Sequence, residues 1–460
     1  MMYDLIVIGM GPGGYEAVLT ALRKKLNVAV VEKSKLGGNC LNRACIPTKY
    51  LRSGAHSIEK LSKLKNYGIM IESYSIDYKT AFESKEKAIG FLRKSLEQLL
   101  KSKKVPVFNG KGRIVGKNQV EVSYPDGKTE VIEGKNIIIA TGSYPASVGK
   151  LVPDGNYIIT TEDYMEKLDT LPSSMLVVGG GVAGCEIGFI AKTYGCNVYI
   201  VELQDRLLPS NTVSTEISKN LLRKFNSIGI KTFFNTTVED FSIENSKVNV
   251  KLSNGESLTV DKILLTVGRK PNTNDIDTIG IEKDEKGFIK VNQYLQTNYE
   301  NIYAIGDVVN SPMLAHVAAY EAKIALHNIT SDSKKTPDYT LTPWAIFSGY
   351  EIGYVGLNEE TAKSKGIEVV SGYFPYTYNE KAVDELDSEG YVRLYFEKNS
   401  KKLIGADVVG IGASEIIHEI AVFVKEGYTA EQVHEFIYFH PSLSEIFAFA
   451  SYDVAVGKLF

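Results

Sequence analysis

Cysteine is scarce in this chain: four in 460 residues, at positions 40, 45, 185 and 196. So few exclude a fold stapled by disulfides and point to a reducing, cytoplasmic setting. Long apolar runs are missing as well; none approaches the roughly 18 residues that a membrane span needs. The opening MMYDLIVIGMGPGG has no basic stretch, so neither a cleaved secretory signal nor a membrane partner is expected. Charge of one sign is equally absent. Lys and Arg total 52 against 55 Asp and Glu, a formal net charge of −3, which leaves no field suited to nucleic acid or an anionic surface. Histidine is rare, six in all, and only His56 lies near the first cysteine pair. A structural zinc site wants four ligands, so no metal is expected there.

What is present describes an ordinary globular protein, 44% hydrophobic and 23% charged, too long for one core and sized for about three domains. Its strongest signal is a repeat. The run DLIVIGMGPGG ends in GxGxxG at Gly9, Gly11 and Gly14, and a helical pattern then leads to NVAVVEK with Glu32. SMLVVGGGVAGCEIG repeats the pattern at Gly179, Gly181 and Gly184, and NVYIVELQ supplies Glu202. In both copies the acid follows the first glycine by 23 residues. The first glycine makes a tight turn, the second lets the backbone approach a pyrophosphate, and the third packs helix on strand. The helix N-terminus then turns its free amides to the phosphates. The acid accepts from ribose hydroxyls and repels a 2′-phosphate. Only Arg206 lies close by as a base, so NAD is favoured over NADP in the second unit.

Each copy continues into a hairpin signal, SYPDGKTEV or KLSNGESLTV, with DG or NG as the turn. Each hairpin is expected to precede a buried strand ending in glycine, NIIIATGS at Gly142 and KILLTVGR at Gly268. LPSS near Pro172 and RKPNTND near Pro271 read as loops. NIYAIGDV reads as another buried strand, followed by Gly306 and Asp307. From about Thr342 the pattern changes to YVRLYFE, LIGADVVG and the helical ASEIIHEIAVFVKEG, a separate α+β domain. The fold class is therefore α/β: two Rossmann-like dinucleotide-binding domains, duplicated and carrying hairpin or meander insertions, plus this C-terminal domain.

Two cysteines five residues apart in GGNCLNRACIPTKY, at a helix start, suit reversible redox chemistry, because a helix dipole lowers the pKa of a nearby thiol. Together with the two nucleotide units and the late FHPSLSE, this segment resembles the pyridine nucleotide–disulfide oxidoreductases over essentially the whole chain. The resemblance is nearest to the branch that oxidises dihydrolipoyl groups. It implies an FAD-binding domain with the redox disulfide at 1–145, an NAD-binding domain at 146–272, a second part of the FAD or central domain at 273–341 and a dimerisation domain at 342–460.

The same resemblance implies roles. Cys40 is the sulfur that meets the substrate and Cys45 the one that passes electrons to the flavin. Gly9, Gly11, Gly14 and Glu32 hold the ADP half of FAD, and Asp307, after Gly306, bonds the ribityl chain. ATGSYP with Thr141 and Gly142, and TVGRKPN with Gly268, are hinge strands between the FAD and NAD units. Gly179, Gly181, Gly184 and Glu202 take NAD. Lys49 pairs with Glu186 near the flavin's reactive edge, where an ammonium favours negative charge on reduced flavin. His440, oriented by Glu445, is a general base presented from a turn at Pro441, and it serves the disulfide of the other subunit in a homodimer. The implied reaction is FAD-dependent oxidation of protein-bound dihydrolipoamide with NAD as acceptor, and a 2-oxo acid dehydrogenase-type complex is a possible lipoyl-carrying partner. The rivals are an NAD(P)H-dependent reductase of a glutathione-like disulfide, a mercuric reductase and a non-catalytic flavoprotein subunit. Glu202 argues against the first, the lack of a vicinal cysteine pair near the end against the second, and the full set of redox-site residues against the third. Arg43 and Ala44 stand where the family often has a small residue and glycine. Tyr438 and Phe439 stand where it often has histidine and alanine, bulky aromatics beside the base that can narrow or reshape the substrate channel. Cys185 and Cys196 read as small buried apolar groups.

Overall fold

In the computed structural model, residues 2–457 are described; residue 1 and residues 458–460, the outer ends of the first and last expected domains, lie outside them. The first sheet is built around Met2–Ile8, whose Leu5, Ile6 and Val7 are fully buried. Val28–Val31 and Val107–Phe108 lie parallel on one side of it and Thr129–Ile139 on the other. Ile302–Ala304 adds a further parallel strand. Such runs are apolar throughout because both faces of a parallel sheet are covered. Helix Pro12–Arg23 opens with proline in its first turn and lays Gly13, Gly14, Ala17, Val18 and Ala21 inward.

The first hairpin differs from expectation in one respect. Its second arm and the buried strand are a single element, Thr129–Ile139, paired antiparallel with Gln119–Ser123 early and parallel with Met2–Ile8 later. Burial alternates along its first part and becomes continuous at Ile137, Ile138 and Ile139. In the second half the arm Ser257–Val260 and the strand Lys262–Leu265 are separate.

The second sheet is wholly parallel, ordered Lys231–Phe233, Asn197–Val201, Ser174–Val178, Lys262–Leu265, Ile158–Thr160, with an antiparallel three-stranded sheet beside it. RKPNTND is not all loop: Arg269–Pro271 pairs antiparallel with Ser143–Pro145. Each strand leaves its own half at a glycine of positive φ, Gly142 or Gly268, so the two halves are stitched where their parallel strands end. The C-terminal unit is a five-stranded antiparallel sheet that includes Tyr391–Glu397 and Leu403–Val409, with helix Ala413–Glu426 capped by left-handed Gly427.

Between these units runs helix Cys45–Leu61. Its Leu51 and Ala55 are buried in one apolar cluster with Phe189 and Ile190 of the second half and Ile346 and Ile352 of the C-terminal sheet. Burying Leu51 alone contributes about 2 kcal/mol, so the element that carries Cys45 is fixed by all three units.

Among the described residues no helix is long and apolar enough to cross a membrane.

Candidate active site

Cys40 and Cys45 are joined as a disulfide, with Cα atoms 4.7 Å apart. The pair spans two helices rather than one: Cys40 sits in the short helix Gly38–Arg43, and Cys45 is the first residue of Cys45–Leu61. One turn along that second helix, Lys49 Nζ donates to both carboxylate oxygens of Glu186, 3.0 Å from each. Glu186 is only 7% exposed at its side chain and also accepts from the backbone N–H of Phe347 at 2.9 Å. Three units thus meet at one carboxylate.

The disulfide lies in the wall of a cavity of about 510 Å³ that is lined by Gly9, Gly11, Glu32, Lys49, Thr141, Gly142, Glu186, Gly306 and Asp307. Gly14, Gly179, Gly181, Gly184, Glu202 and Gly268 lie off this cavity, as do His440 and Glu445.

The two glycine loops share their geometry. Gly9 and Gly179 have φ of 96° and 109°. A Cβ on Gly14 would lie 2.0 Å from Gly9 O, and one on Gly184 2.0 Å from Gly179 O, whereas a Cβ on Gly181 would meet nothing within 4 Å and one on Gly11 only Gly38 at 3.9 Å. The third glycine is therefore a packing requirement and the second faces open space, as a pyrophosphate cradle demands. Gly11 and Gly181 cap their helices without a side-chain hydrogen bond, which leaves the first-turn amides for phosphate. The residues present fit two dinucleotides.

The acids after the second strands do more than wait for ribose. Glu32 accepts from the N–H of Met10 and of Ser34, both at 2.8 Å. Glu202 repeats this with Gly180 at 2.6 Å and Gln204 at 2.8 Å. Each carboxylate braces its own glycine loop. Arg206 is engaged elsewhere, donating to Thr215 Oγ1 at 2.8 Å and Ser210 O at 3.0 Å, with Glu360 at 3.8 Å.

At the far end, His440 Nδ1 is 2.9 Å from Glu445 Oε1, and Glu445 Oε2 accepts from Ser442 N–H at 2.8 Å. The hydrogen bond and charge of Glu445 push the imidazole pKa up. The His440 side chain is 66% exposed. Of the two aromatics before it, only Phe439 points outward, 78% exposed. Tyr438 donates to Val433 O and packs on Phe436 and Phe447, so of the two only Phe439 presents its ring to the surface beside His440. Cys185 and Cys196 are buried and free, and burial raises both thiol pKa values, that of Cys196 to about 12.

Several residues of this site were not singled out from the sequence. The Ser143 hydroxyl donates to Asp307 Oδ2 at 2.5 Å, and Arg269 Nε donates to Ser143 Oγ at 2.7 Å. Both lie on the paired strands Ser143–Pro145 and Arg269–Pro271, each just after a glycine that carries the sequence signal. Glu162, which accepts from Arg269 at 3.3 Å, lies in no motif.

Two dinucleotide cradles around a disulfide define a flavoprotein disulfide oxidoreductase. The chain belongs to the pyridine nucleotide-disulphide oxidoreductase family, whose model matches residues 3–322, with that family's dimerisation domain at residues 342–450. FAD and NAD are the cofactors this family uses. The chain is similar to the dihydrolipoyl dehydrogenase of Chlamydia pneumoniae, 34% identical over 449 residues and covering 97% of this chain and 95% of that one. It is likewise similar to the mitochondrial dihydrolipoyl dehydrogenase of Homo sapiens, 35% identical over 466 residues, covering 99% and 91%. Among solved structures, LpdA of Mycobacterium tuberculosis superimposes with a TM-score of 0.90 at 25% identity, covering 98% and 99% of the two chains. The Cu(II) complex of the flavoprotein disulfide reductase RclA from Escherichia coli shares the fold, with a TM-score of 0.89 at 24% identity, covering 99% and 100%.

Proposed function

We propose that this chain oxidises a protein-bound dihydrolipoyl group to lipoamide with NAD as the final acceptor, working as a homodimer with active sites shared between subunits. The observation that carries the proposal is the Cys40–Cys45 disulfide in the wall of the cavity that Gly9, Gly11, Glu32 and Asp307 also line, with the Lys49–Glu186 pair one helical turn away. The names of the relatives support the substrate.

His440 takes a proton from the dithiol through Nε2, the nitrogen that Glu445 leaves free. The substrate thiolate attacks Cys40, a new S–S bond forms, and the Cys40–Cys45 bond breaks with Cys45 leaving as a thiolate. Cys45 is suited to that charge because it begins a helix. The second substrate thiol passes its proton to the departing Cys40 sulfur as its own sulfur attacks the first and closes the lipoyl ring, while His440 keeps the first proton. Cys40 is released and takes a proton, and two electrons now rest on the cysteine pair. FAD, held by Gly9, Gly11, Glu32 and Asp307, supplies the route by which such electrons reach NAD as a hydride. Lys49 is held by Glu186 to place positive charge at that edge of the cavity.

His440 and Glu445 lie off the cavity of their own chain, so the base for one disulfide is assigned to a second copy. The braced Glu202 and the occupied Arg206 favour NAD over NADP. A lipoyl-carrying protein of a 2-oxo acid dehydrogenase-type complex is the partner this chemistry fits, in the cytoplasm.

The test is an anaerobic visible spectrum of the oxidised, FAD-loaded protein mixed with dihydrolipoamide, then with NAD. A long-wavelength band that appears with the dithiol and fades as NADH forms is the expected result. Reduction by NADH or NADPH without any response to dihydrolipoamide would redirect the search to other disulfides.

A further inference from the structure

Arg43 stands between the two cysteines in sequence, and its guanidinium finds its partners outside that loop. Nη2 donates to Ser34 Oγ at 3.0 Å, Nε lies 3.1 Å from Glu166 and Nη1 3.5 Å from Glu162. Both glutamates belong to helix Thr161–Lys167 of the pyridine-nucleotide half. Glu162 accepts from Arg269 at 3.3 Å, Arg269 donates to Ser143 Oγ at 2.7 Å, and Ser143 donates to Asp307 at 2.5 Å. A continuous polar chain therefore runs along the cavity wall from the redox loop, through the other half and the hinge, to the flavin-side aspartate. The helix at its centre is pinned from behind by Lys85, which is fully buried and donates to Met165 O.

We propose that Arg43, Glu162 and Arg269 are positioning residues that act as one relay, locking the redox loop to the hinge and to Asp307. This rests on the reading of Cys40–Cys45 as the working disulfide. An isolated ion pair at such partly exposed positions contributes little, but one glutamate shared by two guanidinium groups forms a network whose members depend on each other. Glu162 is its centre. Neutralising Glu162 leaves Arg43 and Arg269 facing one another across it, whereas removing Arg43 leaves the Glu162–Arg269 contact in place.

Hydrogen–deuterium exchange on the FAD-loaded protein, with iodoacetamide alkylation of the dithiothreitol-reduced cysteines, tests this in Arg43→Ala, Arg43→Lys, Glu162→Gln and the Arg43→Ala/Glu162→Gln double variant. Glu162→Gln is expected to raise exchange in residues 38–45 by about fivefold, the scale of one lost hydrogen bond of ordinary net strength, and to speed alkylation of Cys40. Arg43→Ala is expected to loosen residues 161–167, Arg43→Lys to restore part of the protection, and the double variant to exceed neither single by more than a small factor. Changes confined to the neighbourhood of each substitution, or additive effects, would overturn the relay. Should Arg43→Ala fail to fold, Arg43→Lys and Glu162→Gln carry the same comparison. None of these readouts needs a lipoyl substrate, so loss of the substrate assignment leaves the relay standing or falling on its own data.

Discussion

Replacing Lys49 and replacing Glu186 should have unequal costs, although they are partners in one ion pair. At 3.0 Å the attraction is about 5 kcal/mol at an effective dielectric near 20. Desolvation of the carboxylate, and the water around a lysine side chain that is 35% exposed, remove most of that. Lys49→Met strands a carboxylate that is 7% exposed with a single remaining donor, Phe347 N–H at 2.9 Å, at a cost of about 2–3 kcal/mol. Glu186→Gln strands an ammonium that can turn to water and keeps the Phe347 ring 4.7 Å away, at a cost of about 1 kcal/mol or less. The double variant should be more stable than Lys49→Met by roughly 1 kcal/mol, since the buried charge is gone. The assay is built into the chain: its one tryptophan, Trp344, opens the strand Trp344–Phe347 and stacks on Tyr354 at 5.8 Å. Urea denaturation followed by Trp344 fluorescence, at fixed saturating FAD so that ligand linkage is constant, reads this seam directly. Equal costs for the two single variants, or a double variant worse than Lys49→Met, would refute the reasoning.

Glu445→Gln should move the acid limb of the kcat/KM profile to lower pH, because Glu445 raises the His440 pKa and a base works once deprotonated; it should also slow dithiol oxidation by at least about tenfold through lost orientation. An unmoved limb would detach Glu445 from the base. Gly181→Ala should keep the melting temperature and weaken NAD binding by about tenfold, while Gly184→Ala, whose Cβ would lie 2.0 Å from Gly179 O, should lower the melting temperature or prevent folding; wild-type NAD affinity in Gly181→Ala would discard that loop as the cradle. Asp407, fully buried under Tyr395 at 2.6 Å and beside Ser214, Arg393 and Glu216, has its pKa pushed up to about 6 by desolvation. A raised carboxyl favours the protonated fold, so this group should withdraw up to about 3 kcal/mol of stability as pH rises from 4 to 7. Asp407→Asn should therefore be more stable than wild type at pH 8 and not at pH 4, as melting curves at the two values will show.

What the sequence reveals here is what repeats locally. The glycine loops and the acids after their second strands are legible because turn, helix and acid lie within one βαβ unit and occur twice at the same offset. Hairpin turns are legible for the same reason. What is hidden joins distant positions. Ser143 meets Asp307 across 164 residues, Arg269 meets Ser143 across 126 and Glu162 meets Arg269 across 107, and no local period encodes such pairings. Lys49 with Glu186 is equally distant and was expected only through resemblance. Tyr438 and Phe439 show a second limit. They sit in a segment that is neither helix nor strand, where no periodicity tells which neighbour turns inward. The strand Arg269–Pro271 reads as loop in the sequence because its proline signals a turn, yet proline is tolerated on the edge of a two-stranded sheet.

The proposed chemistry divides into two halves with opposite demands, and the molecule separates them in space. Electron transfer between a cysteine pair, a flavin and a nicotinamide needs a dry, rigid cavity. Its wall groups, Lys49, Glu186 and Asp307, all come from one chain and are each fixed by at least one hydrogen bond. Proton transfer from a dithiol needs the reverse, a base that exchanges with water and meets a bulky substrate. His440 has those properties, exposed on the dimerisation domain and held by Glu445 alone at Nδ1. Placing both functions on one wall would admit water to the flavin or seal the base from its substrate. Under the proposed function, carrying them on different subunits resolves the conflict, because the disulfide joins two helices, so that one sulfur can serve the substrate while the other serves the flavin.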